Sequence, residues 1–308
     1  MVAEKKFGNL LVGLSIFVFG INFVSMKFLV EHLPPFTLIF LRFAIASIFL
    51  WLIVGIKRTK NKEKLQIEKE DKGAVIVTGF LGIAVYYSFN ALALTYISAS
   101  LSSLICAMIP IFTLLANVLI YKKKFKAFEI INFIIATFGV ILVLDIRPGN
   151  EFNFSQIIGI VYMLLAIFSW IAYTIKTYEL QTKYDSIYLL YKQTMAATVF
   201  LLILAFIDGA KIIKLINQTH LWPALIGNLM FVGIVSSALG YLLYIQGMKI
   251  IGVEIASLYM NLIPAITAIV SYIFLKEDMN GKKVFGIIIV IVSLYAIALK
   301  DKMWQSKG

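Results

Sequence analysis

The sequence predicts an all-α fold: a polytopic membrane protein whose ten transmembrane helices form two inverted five-helix repeats. Three observations support this prediction. Of the 308 residues, 61% are hydrophobic and 14% are charged, which is more apolar area than a soluble globule can bury. The apolar residues fall into ten segments of roughly membrane-spanning length. One order of apolar, basic and proline residues occurs in both halves of the chain, which is typical of internal repeats.

The helix positions follow from the thickness of a bilayer. A hydrocarbon core about 30 Å thick takes roughly 20 helical residues. The first segment follows Lys5 and Lys6 as in a signal peptide. It is too long for such a peptide and has no small-residue cleavage site, so we expect a retained helix. The segments are predicted at residues 7–30, 35–56, 74–95, 98–120, 128–144, 157–178, 187–207, 221–247, 253–275 and 284–299.

The two repeats are predicted to occupy residues 1–147 and 148–308. Because each repeat contains an odd number of segments, the second enters the membrane from the opposite side. Inverted repeats of this kind are typical of carriers that work by alternating access. The matched positions are Phe19–Lys27 with Phe168–Lys176 at an offset of 149, Arg42 with Lys192 at 150, and Ser103–Pro110 with Ser257–Pro264 at 154.

The basic residues predict the orientation. If the N-terminus is cytoplasmic, 19 of the 28 basic residues lie on the inner side, six lie in outer loops, and Lys27, Arg42 and Lys192 lie within helices. This imbalance predicts a multi-pass protein of the cell (plasma or inner) membrane with both termini cytoplasmic. The basic residues on the cytoplasmic side of the lipid bilayer account for the net charge of +12. The charge therefore implies no nucleic-acid partner.

The sequence offers little for redox, metal or nucleotide chemistry. Cys106 has no second cysteine to pair with, and the two histidines, His32 and His220, lie in predicted outer loops. No spacing typical of metal ligands is present, and no Walker-type loop is present to bind a nucleotide. We therefore predict no metal site, no cofactor and no catalytic residue.

Several short motifs stand along the chain: Phe19–Phe23 with Lys27, Pro34-Pro35, Leu41–Phe43, Ala93-Leu94 with Ser98–Ser100 and Pro110, and Ala256-Ser257 with Pro264 and Leu275–Glu277. These motifs resemble those of EamA-type members of the drug/metabolite transporter superfamily. The likeness covers essentially the whole chain, and it is specific for fold and weak for substrate, since members move amino acids, nucleobases, sugars and other metabolites. The resemblance implies a cavity lined by helices 1, 3, 4, 6, 8 and 9.

The chain departs from that family at one place. After helix 4, where members usually carry a Gly-Glu pair, this chain has Lys122, Lys123 and Lys124. The acidic residue is therefore present only in the second half, at Glu277. We assign no substrate role to Glu277.

Polar and aromatic residues within the predicted helices are the candidate substrate-binding residues. Buried amides and phenols need hydrogen-bond partners in lipid, and a shared cavity near the midplane between the repeats would supply them. For any single residue, a helix–helix hydrogen bond or an interfacial aromatic belt is the alternative. The candidates are Asn22, Tyr87, Asn90, Tyr173, Tyr241, Tyr244 and Asn261.

Four basic residues are predicted near the cavity mouths: Lys27, Arg42, Lys176 and Lys192. They either attract an anionic group or extend to the membrane interface, where Glu31 and Glu179 would pair with Lys27 and Lys176. The anion interpretation is favoured for Arg42 and Lys192, which have no acid one turn away.

Two prolines, Pro110 and Pro264, interrupt helices 4 and 9 at matching positions. Each removes a backbone donor, which either kinks the helix or exposes a carbonyl to the cavity.

The sequence thus favours a secondary transporter, exporting or exchanging a small organic metabolite such as an amino acid or a related compound. The small-molecule substrate is its predicted partner, and the oligomeric state stays open, with a monomer sufficient for the mechanism. The alternatives are an intramembrane enzyme acting on lipid, which would need a base, nucleophile or metal at workable depth, and a pore or structural membrane subunit. The chain is not predicted to be an enzyme.

Overall fold

A computed structural model describes residues 2–58, 66–109, 112, 127–143, 154–208, 221–251 and 259–305. Over these residues the chain is helical and contains no strand. Two of the long helices each contain a π-helical segment. The elements are α1 (Val2–His32), α2 (Pro35–Arg58), α3 (Lys72–Gly79), the first π segment (Phe80–Val85), α4 (Tyr86–Tyr96), α5 (Ala99–Cys106), α6 (Ala127–Val143), α7 (Phe154–Lys183), α8 (Ser186–Ile207), α9 (Trp222–Met230), the second π segment (Phe231–Gly240), α10 (Tyr241–Ile251), α11 (Ile263–Phe274) and α12 (Gly281–Gln305).

Six helical stretches among the described residues are long and apolar enough to cross a membrane. Several of their large apolar side chains, such as Ile203 and Phe206 on α8, are exposed, as contact with lipid requires. The six stretches are Glu4–His32, Pro35–Ile56, Lys72–Tyr96, Phe154–Lys183, Ser186–Ile207 and Trp222–Met248. The predicted all-helical membrane architecture is therefore confirmed, while the count of ten stays a prediction, since residues 113–120 and 252–258 lie outside the described residues.

The starts of α2 and α8 show how local chemistry sets the helix bounds. The two prolines at 34 and 35 disfavour helix before them and suit a first helical position, so α1 ends at His32 and α2 begins at Pro35. The first free amides of α2, at Phe36 and Thr37, donate to Asp208 Oδ2 at 2.8 and 3.0 Å. Those of α8, at Ile187 and Tyr188, donate to Asp185 Oδ1 at 3.2 and 3.1 Å. Each carboxylate caps a helix whose amides have no intrahelical partner.

The described helices fall into two compact units, and each unit contains segments from both halves of the sequence. The chain passes from one unit to the other within α1, α7 and α10, and at the last residue of α4. The first unit comprises residues 1–24, 96–160 and 243–308, and the second comprises residues 25–95 and 161–242.

In the first unit, α6 packs against α12 through two glycines. A Cβ added at Gly139 would lie 2.8 Å from the Gly286 carbonyl oxygen, and one added at Gly286 would lie 2.6 Å from the Gly139 carbonyl oxygen. These two positions require glycine because each faces the backbone of the other helix, as is common where membrane helices approach closely.

Glu277 ties α11 to α5 in the same unit. Its carboxylate accepts hydrogen bonds from the Ala99 amide at 2.8 Å and from the Ser100 hydroxyl at 2.6 Å. The Ser100 hydroxyl also lies 2.7 Å from the Ser271 hydroxyl. Glu277 therefore caps the N-terminus of α5 from the segment that follows α11.

In the second unit, α2 and α8 pack together and the two π-containing helices lie against them. A Cβ at Gly79 would overlap the backbone carbonyl of Gln193 on α8. A Cβ at Gly233 would lie 2.8 Å from the Ile45 side chain and 3.1 Å from the Arg42 carbonyl oxygen on α2. Gly79 directly precedes the first π segment and Gly233 lies within the second, so both π-containing helices approach a neighbouring helix closely, and the candidate residues lie in this region.

The segment before α3 is held by Asp71. Its carboxylate accepts hydrogen bonds from the Tyr184 hydroxyl at 2.7 Å and from Lys183 Nζ at 3.0 Å. These two donors stabilise the ionised form and hold the pKa of the Asp71 carboxyl below its ordinary value.

Candidate functional site

Arg42 is a fully buried charge in the second unit. It lies seven residues into α2, about 10 Å along the helix axis from its start, and it is 1% exposed. Its Nε donates to the Ser237 hydroxyl at 2.8 Å. Its Nη1 is buried and has no hydrogen-bond partner among the residues that the structure describes. A buried guanidinium group with an unsatisfied nitrogen is costly, so this residue requires an explanation.

Aromatic rings surround the guanidinium group. The Arg42 Cζ lies 4.4 Å from the centroid of the Tyr87 ring and 5.2 Å from that of the Phe43 ring. Both distances are within the range of a cation–π interaction, which a desolvated site strengthens. These contacts hold the plane of the guanidinium group while forming no bond to Nη1.

A chain of ring contacts extends from Tyr87. The Tyr86 centroid lies 4.7 Å from that of Tyr87 and 4.9 Å from that of Trp170, and the Trp170 centroid lies 5.1 Å from that of Tyr173. The Tyr87 and Tyr241 hydroxyls share a hydrogen bond of 3.0 Å. Together these side chains form the Arg42 cluster: Arg42, Phe43, Tyr86, Tyr87, Trp170, Tyr173, Ser237 and Tyr241.

The two π segments contribute to this cluster directly. Ser237 belongs to the second segment. Gly82 of the first segment packs against the Tyr173 ring so closely that a Cβ there would overlap it. The Ser169 hydroxyl donates at 2.7 Å to the carbonyl of Leu81 in the first segment. A π-helical turn is rare and often occurs at functional sites, because it redirects side chains and backbone groups that a regular helix would align.

No carboxylate described in the second unit pairs with Arg42. Three of them are engaged elsewhere: Glu31 lies 3.5 Å from Lys27 Nζ, Glu179 lies 2.7 Å from Lys176 Nζ, and Asp208 caps α2. Nor does any group of three or more His, Cys, Asp or Glu among the described residues suit a metal ion. The cluster therefore combines one cation, phenols and aromatic faces.

Four of the predicted substrate-binding residues lie in the second unit. Tyr87, Tyr173 and Tyr241 belong to the Arg42 cluster. Asn90 lies one turn after Tyr87 on α4 and is 4% exposed. Its Nδ2 lies 3.4 Å from the sulfur of Met163, which is a weak acceptor.

The other three predicted residues lie in the first unit. Asn22 is half-buried on α1. The Tyr244 ring centroid lies 6.4 Å from that of Phe19, and Asn261 is buried in the turn that precedes α11. Their sharing of a cavity with the residues of the second unit stays a prediction.

Of the two predicted helix kinks, one falls on described residues. Tyr259 and Met260 are helical, Asn261 and Leu262 form a turn, and α11 begins at Ile263 with Pro264 in its first turn. The helix is thus interrupted two residues before Pro264, where a proline costs least. Pro110 lies outside the described residues.

Two of the three predicted lysines, Lys27 and Lys176, have an acidic partner, and the third, Lys192, lies near aromatic rings. Lys27 Nζ donates to the Leu94 carbonyl at 2.8 Å, at the end of α4, in addition to its ion pair with Glu31. Lys176 is exposed and pairs with Glu179. Lys192 Nζ lies 5.3 Å from the Tyr191 ring centroid and 5.5 Å from that of Tyr188.

Gln193 is a buried polar residue that the sequence reasoning missed. It is 1% exposed, and its Nε2 donates to Thr78 Oγ1 at 2.9 Å and to Thr177 Oγ1 at 3.1 Å. The first capped amide is that of Phe36 in α2 and that of Ile187 in α8, and these two residues are 151 positions apart. At the same offset, the residue of α8 that corresponds to Arg42 is Gln193. A shift of one residue turns a helical side chain by about 100°, which is why Lys192 does not occupy the place of Gln193 and lies instead near the rings of Tyr188 and Tyr191. The signal that could have identified Gln193 is the start of each helix. Pro35 and Ser186, the first residues of α2 and α8, are also 151 positions apart.

Sequence comparison gives a consistent group of relatives. A family model described as the EamA-like transporter family matches residues 6–145 and again residues 157–299. A protein of Archaeoglobus fulgidus named an uncharacterized transporter is 26% identical over 292 residues, covering 94% of this chain and 98% of the relative. A Clostridium kluyveri protein of the same name is 25% identical and covers 93% and 91%. The Bacillus subtilis uncharacterized transporter YvbV is 25% identical and covers 95% and 92%.

Structure comparison supports the fold alone. A crystal structure of a protein 16% identical in sequence superposes with a TM-score of 0.62 over 96% of this chain and 95% of that chain.

Proposed function

Because the chain belongs to the EamA-like transporter family, we propose that it is a secondary transporter that exports or exchanges a small organic metabolite. The observation that carries this proposal is the Arg42 cluster: polar and aromatic side chains gathered within membrane-spanning helices of one unit. Sites for small molecules combine apolar and aromatic walls with a few fixed polar groups, and the cluster has this composition. An amino acid or a related compound is the substrate class we favour.

Alternating access between two inverted five-helix repeats is the proposed mechanism. The family model matches the chain twice in tandem, which supports a repeat. Matched features at offsets of 151 to 154 positions support it further: capped helix starts at Pro35 and Ser186, and glycines at 79 and 233 that contact α8 and α2. In inverted-repeat carriers, substrate sites lie near the membrane midplane at interrupted helices. The two π segments and the break before α11 are interruptions of that kind.

We further propose that the protein lies in the cell membrane with both termini cytoplasmic. The excess of basic residues in the loops assigned to the inner side supports this orientation.

An exchange assay with a mixture of metabolites tests the proposed function, because it does not require the substrate to be identified first. Proteoliposomes containing the purified chain are filled with an unlabelled bacterial metabolite extract and placed in the same extract labelled with ¹³C. A carrier exchanges inside for outside molecules, so we expect a small set of labelled compounds to appear inside, saturably and faster than in protein-free liposomes. If no compound is exchanged, the proposed function is wrong. If every small solute enters without saturation, the chain is a pore.

Variants connect the exchange to the cluster. We expect a protein carrying Tyr87→Ala and Tyr241→Ala to exchange at least about tenfold more slowly, because two hydroxyls and two aromatic faces are lost from one site. Tyr272→Ala removes an equivalent side chain that is 60% exposed on α11, and this control is expected to stay within about twofold of the wild type. Equal rates for the double variant and the control would place the substrate elsewhere.

A further inference from the structure

We propose that Arg42 binds the carboxylate of the transported substrate, so that the substrate is an organic anion or zwitterion whose apolar part lies against the rings of the Arg42 cluster. This inference rests on the proposed transport function and narrows its substrate class. The geometry that points to it is a fully buried guanidinium group with one nitrogen that no described residue partners, in a site where the described residues place no carboxylate.

The first step of the argument is charge balance. A guanidinium group stays protonated in proteins, and an isolated charge away from water is among the costliest features a fold can hold. The carboxylates described in the second unit lie at helix ends or in loops. Three of them, at Asp71, Asp185 and Asp208, accept hydrogen bonds there. Ser237, the one hydrogen-bond partner described for Arg42, is neutral. A ligand carboxylate would supply the missing negative charge.

The second step is the geometry of the guanidinium group. Ser237 holds Nε, and the Tyr87 ring lies 4.4 Å from Cζ, so the orientation of the group is fixed before a ligand arrives. Nη1 remains without a partner. Carboxylates bind to the planar edge of arginine with directed, charge-assisted hydrogen bonds. Arg42 is thus pre-organised as a carboxylate receptor.

The third step decides between a carboxylate and a phosphate. A phosphate dianion would need a second cation to be neutralised in a site of low dielectric constant. The other helix-embedded cations described in this unit are engaged: Lys27 binds the Leu94 carbonyl and Glu31, and Lys192 lies over the rings of Tyr188 and Tyr191. A single guanidinium group therefore matches a singly charged carboxylate better.

The fourth step concerns the remainder of the substrate. Tyr86, Trp170 and Tyr173 offer aromatic faces in sequence from the guanidinium group, and the Tyr87 and Tyr241 hydroxyls can both donate and accept a hydrogen bond. These groups suit an apolar or planar body with a polar substituent. Since Arg42 is 1% exposed, the ligand reaches it only when cluster side chains move, as an alternating-access cycle requires.

The test compares carboxylates with their primary amides, in which the negative charge of the carboxylate is removed. Affinities for L-phenylalanine, L-leucine, phenylacetate and benzoate, and for the primary amide of each, are measured from the tryptophan fluorescence of the purified chain, in which Trp170 reports on the cluster. Inorganic phosphate is titrated separately. We expect at least one carboxylate to bind about 10- to 100-fold more tightly than its amide, the range typical of hydrogen bonds to a charged group. Amides that bind as tightly as the acids, phosphate as the tightest probe, or no binding by any carboxylate would overturn the proposal.

Variants separate ligand binding from a structural role. Arg42→Gln is expected to abolish the preference for acid over amide, and Arg42→Lys, which keeps the charge but loses the planar edge, is expected to retain part of it. A purely structural role would weaken acid and amide equally and leave their ratio unchanged. Lys69→Gln, which removes one exposed positive charge outside the membrane-spanning helices, is the control for net charge and should preserve the ratio.

The exchange assay distinguishes failure of this inference from failure of the proposed function. If the ¹³C-labelled compounds that accumulate are neutral or cationic, transport stands and the carboxylate site is wrong. If no compound accumulates, both are wrong.

Discussion

Two ionisable side chains, Glu277 and Arg42, show what a charge within a membrane-spanning fold requires. The Glu277 carboxylate has two donors, from the Ala99 amide and the Ser100 hydroxyl, so its role is explained by a helix cap. Arg42 has one neutral hydroxyl partner and a nitrogen with none. The difference between a satisfied and an unsatisfied charge is what separates a structural residue from a candidate binding residue.

The cap formed by Glu277 gives a prediction at the residue scale. Glu277→Ala leaves the Ala99 amide, the first of α5, without its acceptor, and loss of an N-terminal cap typically costs about 1–2 kcal/mol. We expect a lower midpoint of thermal unfolding in detergent, and a smaller decrease for Glu277→Gln, whose amide oxygen still accepts. Asp278→Ala is the control, because the side chain of Asp278 is 71% exposed and lies 3.9 Å from Lys283, an ion pair of little value. If Asp278→Ala lowers the midpoint as much as Glu277→Ala, the cap contributes nothing specific.

The sequence identified Arg42 and the cluster residues Tyr87, Tyr173 and Tyr241, but it did not identify Ser237 or Gly82. Arg42 was predictable because a cation inside an apolar segment without an acid one turn away is rare. Ser237 and Gly82 carry no such signal, since small residues within membrane helices are ordinarily explained by packing. Their importance depends on contacts between segments distant in sequence, such as the 195 positions between Arg42 and Ser237.

The π segments are the distinguishing feature at the scale of elements. The first follows Gly79 directly, and the second contains Gly233. Both glycines lie against the backbone or side chains of a neighbouring helix. Close helix contact and widened helical turns thus occur together, and together they direct Ser237 and Gly82 toward the Arg42 cluster.

Substitution of Gly79 tests this relation between contact and site. A Cβ at Gly79 would overlap the Gln193 backbone carbonyl, which cannot move aside as a flexible side chain can. We expect Gly79→Ala to cost about 1–3 kcal/mol or more through overpacking, and to slow exchange because the first π segment is displaced. Gly227→Ala in α9 is the matched control: an added Cβ there meets nothing within 4 Å. Unfolding midpoints and exchange rates of the two variants should therefore differ clearly, and equal values would contradict the close packing.

Element bounds were largely predictable, and their internal irregularities were not. The segments predicted at 35–56 and 187–207 correspond to Pro35–Arg58 and Ser186–Ile207, because prolines, capping residues and the change from apolar to charged residues are all local signals. A π-helical turn has no comparable local signal, since it depends on what the helix packs against.

At the scale of the whole molecule, two divisions of the chain coexist. The family model matches the two halves in tandem, whereas each compact unit draws residues from both halves. The resemblance to EamA-type transporters is confirmed by that match, and the all-helical membrane fold could be predicted from hydropathy alone. The two compact units could not be predicted in this way. They depend on which helices pack together, and hydropathy does not indicate which helices are neighbours.

Orientation in the membrane is the last prediction, and it belongs to the whole chain. Both termini and the segment 57–72 are expected on the cytoplasmic side, and the loops 208–220 and 276–283 on the outside, because basic residues are retained on the cytoplasmic side of the membrane. Single cysteines replace Lys69, Thr219 or Asp278 on a Cys106→Ala background, which removes the one native thiol. Intact cells are then treated with a membrane-impermeant maleimide. We expect Thr219→Cys and Asp278→Cys to be labelled and Lys69→Cys to be protected.

Permeabilised cells provide the control, since all three cysteines should react once the reagent reaches both sides. Lys69 and Asp278 are both exposed in the structure, so protection of either in intact cells reflects the membrane and not burial within the protein. The opposite pattern, with Lys69→Cys labelled and the other two protected, would place the segment 57–72 outside. It would overturn the orientation together with the charge argument on which it rests, while leaving the helical fold and the Arg42 cluster unaffected.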